Sequence, residues 1–237
     1  MRHALVTGAN RGIGAAIADA LRAQGYRVSG LSRTAGELPA CDVTDAAAVG
    51  TAFAAARERH GPIEILVNNA GAAESAPFLQ TDDALLDRML DVNLRGAWHC
   101  SRAALPDMQA AGWGRIVNIA SIAGLAGYPY VSAYCAAKHA LVGLTRALAA
   151  ELALKPATQA ITVNALCPGY TDTDLAHDAA RHIAARTGRS EAEALAGLAA
   201  SNPQGRLLTS AEIAAAVLRL CGEDADAFTG QTLSLSN

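Results

Sequence analysis

Six short runs rich in valine, isoleucine and leucine alternate with longer alanine-rich stretches, and this alternation constrains the fold more than any other feature of the chain. Strand followed by helix, repeated, is the pattern of βαβ units, in which consecutive strands run parallel and helices cover the sheet. The strand candidates are HALVT (3–7), YRVSGLS (26–32), IEILVNN (63–69), GRIVNIAS (114–121), AITVNALC (160–167) and QTLSLS (231–236). Helices are expected near 12–24, 45–59, 81–110, 132–154 and 210–221. With 237 residues, 51% of them hydrophobic, the chain is long enough for one large core, so a single α/β domain over 1–237 is expected, a doubly wound parallel sheet flanked by helices. The polar stretch 170–206 breaks the alternation. A long excursion after a strand end reads as a substrate lid, with a plain surface helical pair as the alternative.

A net charge of −3 gives no electrostatic reason to seek nucleic acid or an acidic membrane. Cys41, Cys100, Cys135, Cys167 and Cys221 are odd in number and lack a CxxC pair, which argues against a disulfide framework or a zinc site. No metal is expected. The apolar run in MRHALVTG is too short for a signal peptide, and no segment approaches a membrane span. A cytoplasmic location is expected.

Chemistry enters with TGANRGIG, which carries Gly8, Asn10, Arg11, Gly12, Ile13 and Gly14 between the first strand and the first helix. Glycines let the backbone approach a pyrophosphate, and the N–H groups that open the helix receive its charge. Further along stand NNAG (68–71), with Asn69, Ala70 and Gly71; DVNLRG, with Asn93; VNIASIAG, with Ser121; SAYCAAK, with Tyr134 and Lys138; and PGYTDT (168–173). Together and in this order they resemble the short-chain dehydrogenase/reductase family over nearly the whole chain. The thirteen residues from Ser121 to Tyr134 are similar to that family's catalytic spacing. The resemblance implies a Rossmann-like fold and a nicotinamide-dependent oxidoreductase that interconverts a ketone and a secondary alcohol.

Tyr134 and Lys138 are four residues apart and share a helix face. A phenol is a poor acid–base catalyst at neutral pH, and a nearby cation is expected to lower its pKa. Tyr134 would then give a proton to the carbonyl oxygen in reduction, or take one from the hydroxyl in oxidation. The resemblance implies that Ser121 hydrogen-bonds the substrate oxygen, that Lys138 also holds the nicotinamide ribose, and that Asn93 helps position a water leading from Lys138 to solvent. It places Pro168, Gly169, Thr171 and Thr173 beside the nicotinamide.

At the end of the second strand, Ser32 stands where an acid would bind the ribose of NAD. Arg33 and Arg11 suit a 2′-phosphate instead, so NADP(H) is favoured over NAD(H). Only TAGELPA separates Arg33 from CDVTD, where the family has a helix. Either a vestigial strand near 38–42 or a tight bare loop is expected, with the adenine pocket around Asp42 and Val43 reshaped.

The substrate pocket is expected to be bordered by Ala72, Ala73, Tyr128 and Tyr170, besides Ser121 and Tyr134. His177, Arg181, His182, Arg186 and Arg189 in the lid suit a phosphopantetheine or coenzyme A phosphate, although an ordinary charged helix pair is favoured. NPQGR (202–206) resembles a segment of some acyl-thioester reductases. The substrate is therefore read as a small carbonyl or alcohol, a 3-oxoacyl thioester or 3-hydroxyacyl compound, with a cyclic or aryl alcohol or a dihydrodiol as the alternative. A non-catalytic dinucleotide-binding regulator would lack the intact Ser, Tyr and Lys set. A sugar-nucleotide epimerase would need a larger C-terminal domain than the 68 residues after Gly169 provide. Apolar residues on helices 81–110 and 132–154 exceed what one subunit buries, so a homodimer or homotetramer is expected.

Overall fold

The computed structural model describes residues 1–237 except Ala35, Glu37, Ser236 and Asn237. Its sheet is formed by β1 (His3–Thr7), β2 (Arg27–Leu31), β3 (Ile65–Asn68), β4 (Gly114–Ile119), β5 (Ile161–Cys167) and β6 (Thr232–Ser234). The order is β2-β1-β3-β4-β5-β6, and every pairing is parallel. The helices are α1 (Gly12–Ala23), α2 (Ala46–His60), α3 (Asp83–Leu90), α4 (Gly96–Ala111), α5 (Ser132–Ala153), α6 (Asp174–Thr187), α7 (Glu191–Ala200) and α8 (Ser210–Cys221). The last expected strand is shorter than the run 231–236, whose Ser236 lies outside the described residues.

Side chains alternate faces along a strand, and the two resulting sets pack into two cores. Leu5, Leu66, Ile116 and Val163 meet Phe53, Ala56, Cys100, Ala104 and Met108 of α2 and α4. Val6, Ile65, Val67 and Val117 meet Ile17 and Leu21 of α1 and Ile213 and Val217 of α8. Each large aliphatic or aromatic side chain taken fully from water stabilises the fold by about 1.5–3 kcal/mol, so both helical layers are held by burial. Asp45 caps α2 by accepting from the Ala47 and Ala48 amides, and Thr209 with Glu212 forms a capping box on α8.

Two local departures shape the cofactor and catalytic regions. Between Ser32 and Asp45 the described residues form neither helix nor strand, so the bare loop replaces the vestigial strand expected near 38–42. Leu38, Cys41 and Val43 bury themselves in the core under α2 and α4, and the Cys41 amide donates to the Ser32 carbonyl at 2.8 Å. Burial of those three side chains anchors the loop without a helix, and β2 stays at the sheet edge. The second departure interrupts the helix expected over 81–110. Asp91–Arg95 widens into a π-turn closed by the Gly96 amide on the Asp91 carbonyl. Gly96 is required there because a Cβ would lie 2.6 Å from Val43 Cγ2.

Candidate active site

In open parallel sheets, ligands bind beyond the carboxyl ends of the strands where the order reverses. Here β1 lies between β2 and β3, and the glycine turn leaves from its carboxyl end. Gly8 and Gly12 have φ of +66° and +53°, which other residues rarely adopt. A Cβ on Gly14 would sit 2.1 Å from the Gly8 carbonyl, so the turn closes only without a side chain. Arg11 is the N-cap of α1, yet no side chain caps this helix and its first turn holds no acid. Its opening N–H groups are therefore available to an anion, which fits a dinucleotide pyrophosphate.

Asn69 braces this turn. Its Nδ2 donates to the carbonyls of Thr7 (2.9 Å) and Gly8 (3.4 Å), while the Asn69 and Ala70 amides donate to Thr7 Oγ1 at 3.0 and 2.9 Å. Thr7 was not singled out by sequence, although it directly precedes the first glycine. Asn10 is exposed and Ile13 is half-buried.

A cleft of about 250 Å³ beside the β2 end is lined by Ala9, Asn10, Arg22, Gly30, Ser32, Thr34 and Gly36. Neither arginine expected for a 2′-phosphate lines it. Arg11 pairs with Asp174 at the start of α6, 2.8 Å away, and Arg33 is exposed, with its charge lowering the Asp42 pKa after the larger effect of the Thr44 amide. Arg22 does line it, and nothing in the sequence motif marked that residue, which reaches the cleft from the last turn of α1. Asp42 is spent on Thr44, accepting from its amide at 2.9 Å and its hydroxyl at 2.8 Å. Val43 is buried, and its carbonyl faces His99 Nδ1 at 3.1 Å.

The catalytic candidates converge from four elements. Lys138, only 4% exposed, reaches from α5 so that its Nζ donates to the Ile119 carbonyl at the end of β4, 2.9 Å away. That bond uses one ammonium hydrogen and leaves two. Nζ lies 5.7 Å from the centre of the Tyr134 ring. A Cβ on Gly71 would come within 2.8 Å of Asn93 Oδ1 and 3.5 Å of Lys138 Nζ, which places the NNAG turn against both. Ser121 Oγ accepts from the Ala123 amide at 3.1 Å, leaving its own hydrogen to donate.

One expectation changes. Burial pushes the Tyr134 phenol up to about 12 in the ligand-free protein, against a lowering hydrogen bond from Ser121. The lysine is aimed at the Ile119 carbonyl, and burial pulls its own pKa down to about 8, with Cys167 acting in the opposite direction. Asn93, expected to help position a water leading from Lys138 to solvent, is anchored by its side chain. Both amide hydrogens are committed, to the Ala72 carbonyl at 2.9 Å and the Met89 carbonyl at 3.0 Å, so the side chain ties the NNAG turn to the π-turn.

On the far side, Pro168 is buried and accepts from the Ile122 amide at 3.1 Å. Thr171 Oγ1 donates to the Gly169 carbonyl and Thr173 Oγ1 to the Thr171 carbonyl, at 3.1 and 3.2 Å. Tyr170 is half-buried, and its pKa is raised by burial and then by Tyr128; Tyr170 in turn raises that of Tyr134. The stretch 170–206, expected to form a lid, folds into α6 and α7. Of its basic residues, His177 meets Asp172 at 2.8 Å and Arg181 pairs with Asp178, while His182, Arg186 and Arg189 are exposed.

A glycine turn with open helix amides, facing a buried lysine, a tyrosine and a serine at the strand ends, defines a dinucleotide-dependent oxidoreductase. The short chain dehydrogenase family profile matches residues 2–184, and the chain belongs to that family. It is 37% identical to the monensin polyketide synthase putative ketoacyl reductase of Streptomyces virginiae, over 99% of this chain and 95% of that protein. It is 35% identical to the 3-oxoacyl-[acyl-carrier-protein] reductase MabA of Mycobacterium avium, over 98% and 87%. Among solved structures, a variant of actinorhodin polyketide ketoreductase with NADPH superposes with a TM-score of 0.92 at 36% identity, covering 99% of this chain and 95% of that one. The protein is a nicotinamide-dependent oxidoreductase that interconverts a ketone and a secondary alcohol of a small-molecule substrate. Among the described residues no helix is long and apolar enough to cross a membrane.

Proposed function

We propose that the protein is an NADPH-dependent reductase of 3-oxoacyl thioesters, with Tyr134, Lys138 and Ser121 as its catalytic residues and Asn93 as their support. The observation that carries this reading is the anchoring of Lys138 on the Ile119 carbonyl, which holds two ammonium hydrogens beside Tyr134 and Gly71. When bound, the nicotinamide cofactor supplies a hydride to the carbonyl carbon or accepts one from the alcohol. Tyr134 gives its proton to the carbonyl oxygen, and Ser121 donates a hydrogen bond to that same oxygen, where charge develops. Lys138 holds the ribose and restores the phenol's proton. Its value of about 8 keeps the ammonium largely protonated at neutral pH while making proton release feasible.

The glycine turn and the amides of α1 would hold the pyrophosphate, with Pro168, Gly169, Thr171 and Thr173 beside the nicotinamide. Arg22, which lines the cleft beside the β2 end, is assigned to the 2′-phosphate, with Arg33 as the alternative. Tyr128 and Tyr170 border the substrate, and α6 with α7 act as its lid. The resemblance to MabA and to polyketide ketoreductases supports the thioester over a cyclic or aryl ketone. Turnover of 3-oxoacyl thioesters, cyclic ketones and aryl ketones, followed by nicotinamide absorbance with NADPH and with NADH, tests this. Faster turnover of a cyclic ketone, or of NADH, would overturn the corresponding part.

We also propose a homotetramer built on α4 and α5. The groove between them, about 560 Å³, is lined by Leu94, Trp98, Ala140 and Leu144, and Trp98 is 47% exposed. A second copy would cover this apolar face, as the sequence pattern anticipated. Light scattering is expected to give a mass near four chains of 24.2 kDa; a stable, active monomer would reject the assembly.

A further inference from the structure

We propose that Asn202 is a positioning residue that fixes Tyr170 at the substrate cleft, so that it governs affinity for the ketone more than for the cofactor. The proposal rests on the reading of Tyr170 as a residue bordering the substrate.

Asn202 lies just after α7 in the NPQGR segment and is only 2% exposed. A buried amide is costly unless its donors and acceptor are paired, and here all are. Oδ1 accepts from the Tyr170 amide at 2.9 Å, and Nδ2 donates to the Tyr170 carbonyl at 2.7 Å and to the Arg206 carbonyl at 2.8 Å. The side chain therefore bonds Tyr170 as a neighbouring strand would, with a donor and an acceptor on the same residue. The returning chain completes the clamp: the Leu208 amide donates to the Tyr170 carbonyl at 2.9 Å, and the Asp172 amide to the Leu208 carbonyl at 2.8 Å. Arg206 in turn pairs with Glu212 of α8 at 2.6 Å, which fixes the far end of the segment.

Asn202 thus joins the two ends of the segment 170–202, 32 residues apart, at Tyr170. The Tyr170 ring packs against Ala180, Ala194 and Leu198 on the inner side of α6 and α7, and it lies within electrostatic reach of Tyr128 and Tyr134. Releasing the Tyr170 peptide would let the ring shift relative to Tyr134 while leaving the glycine turn and Lys138 untouched. The sequence offers little sign of this, since an asparagine before a proline ordinarily reads as turn chemistry.

Asn202→Asp preserves the acceptor for the Tyr170 amide but places a second acceptor against the Tyr170 and Arg206 carbonyls. With a short 3-oxoacyl thioester, KM is expected to rise about tenfold, the loss typical of one or two buried hydrogen bonds, while KM for NADPH stays within about twofold. The decisive measurement repeats the substitution in a Tyr170→Ala enzyme, where its effect on KM should shrink to about twofold or less. An undiminished tenfold effect in that background, or an equal rise in KM for NADPH, would overturn the proposal. Should the aspartate enzyme not fold, as judged by circular dichroism, Asn202→Ser carries the same pair of measurements. If Tyr170→Ala alone leaves KM unchanged, the reading of Tyr170 as a substrate residue fails, and the role of Asn202 falls with it. If Tyr170→Ala raises KM but the two effects add, only the role of Asn202 fails.

Discussion

Tyr134→Phe removes one hydroxyl from the site and little else, so its consequences can be worked out from the structure. The ring packs with Leu85, Met89, Ala133 and Ala137, and phenylalanine keeps those contacts. The hydroxyl's protein partner is Ser121, and losing one such bond costs about 1 kcal/mol. For a chain of this size that is a fall in Tm of about 2–4 °C. Because burial holds the phenol's pKa up to about 12, the group lost at neutral pH is uncharged, and no buried ion pair is broken. The cofactor residues are untouched, so the Kd for NADPH from fluorescence titration should stay within about twofold. The proton donor, in contrast, is gone. General acid catalysis is worth about 10²–10⁴ in rate, so kcat should fall by that factor, or about 3–5 kcal/mol of barrier. A kcat within tenfold of the unaltered enzyme would refute the assignment, and so would a loss of cofactor affinity as large as the loss of kcat.

Lys138→Met should weaken NADPH binding about 10–100-fold as well as turnover, since the charged group assigned to the ribose is lost together with the proton source for the phenol; wild-type cofactor affinity in titration would contradict the shared role. Arg22→Ala should lower the NADPH-to-NADH ratio of kcat/KM about tenfold, and an unchanged ratio would leave the 2′-phosphate to Arg33. His3, buried at the start of β1, contacts the Gly61 carbonyl through Nδ1 at 2.8 Å and Ser29 Oγ through Nε2 at 2.9 Å. Its pKa falls below the ordinary 6.5, first through burial and then through the charges of His60 and Arg27, against the raising effect of the Gly61 carbonyl. The unfolded chain then takes up the proton first as pH drops. The stability contributed by His3 is complete above 6.5 and is lost as pH falls through the lower folded value, so Tm should decline below pH 6.5 and decline less in His3→Gln. Equal declines in the two proteins would show that other groups carry the effect.

All six strands and α1, α2, α5 and α8 were legible because their signals are local. An alternating β-branched run or an alanine-rich stretch with a capping residue states its own conformation. What escaped depended on contacts between distant segments. The π-turn at Asp91–Arg95 follows no local pattern; it is accompanied by Asn93 bonding Ala72 and by Gly96 packing on Val43, residues 21 and 53 positions away. Arg22, in the last turn of α1 and paired with Asp19, belongs to no motif and joins the cleft only through its nearness to Ser32, Thr34 and Gly36. The motifs named Tyr134, Lys138 and Ser121, but not the strand-end carbonyl of Ile119 on which the lysine is anchored.

That orientation bears on how the site uses charge. A lysine aimed straight at the phenol would favour phenolate in the free enzyme and spend the acid before substrate arrived. Here burial acts on both groups in the direction of neutrality, raising the phenol and lowering the ammonium, and the Ile119 carbonyl gives the ammonium a fixed partner in compensation. The phenol is therefore protonated in the ligand-free enzyme at neutral pH. Oxidation of an alcohol requires the opposite state of the same oxygen, and burial alone opposes it. The alcohol direction, in which Tyr134 must accept a proton, should therefore gain more than the ketone direction as pH rises toward the phenol's value of about 12.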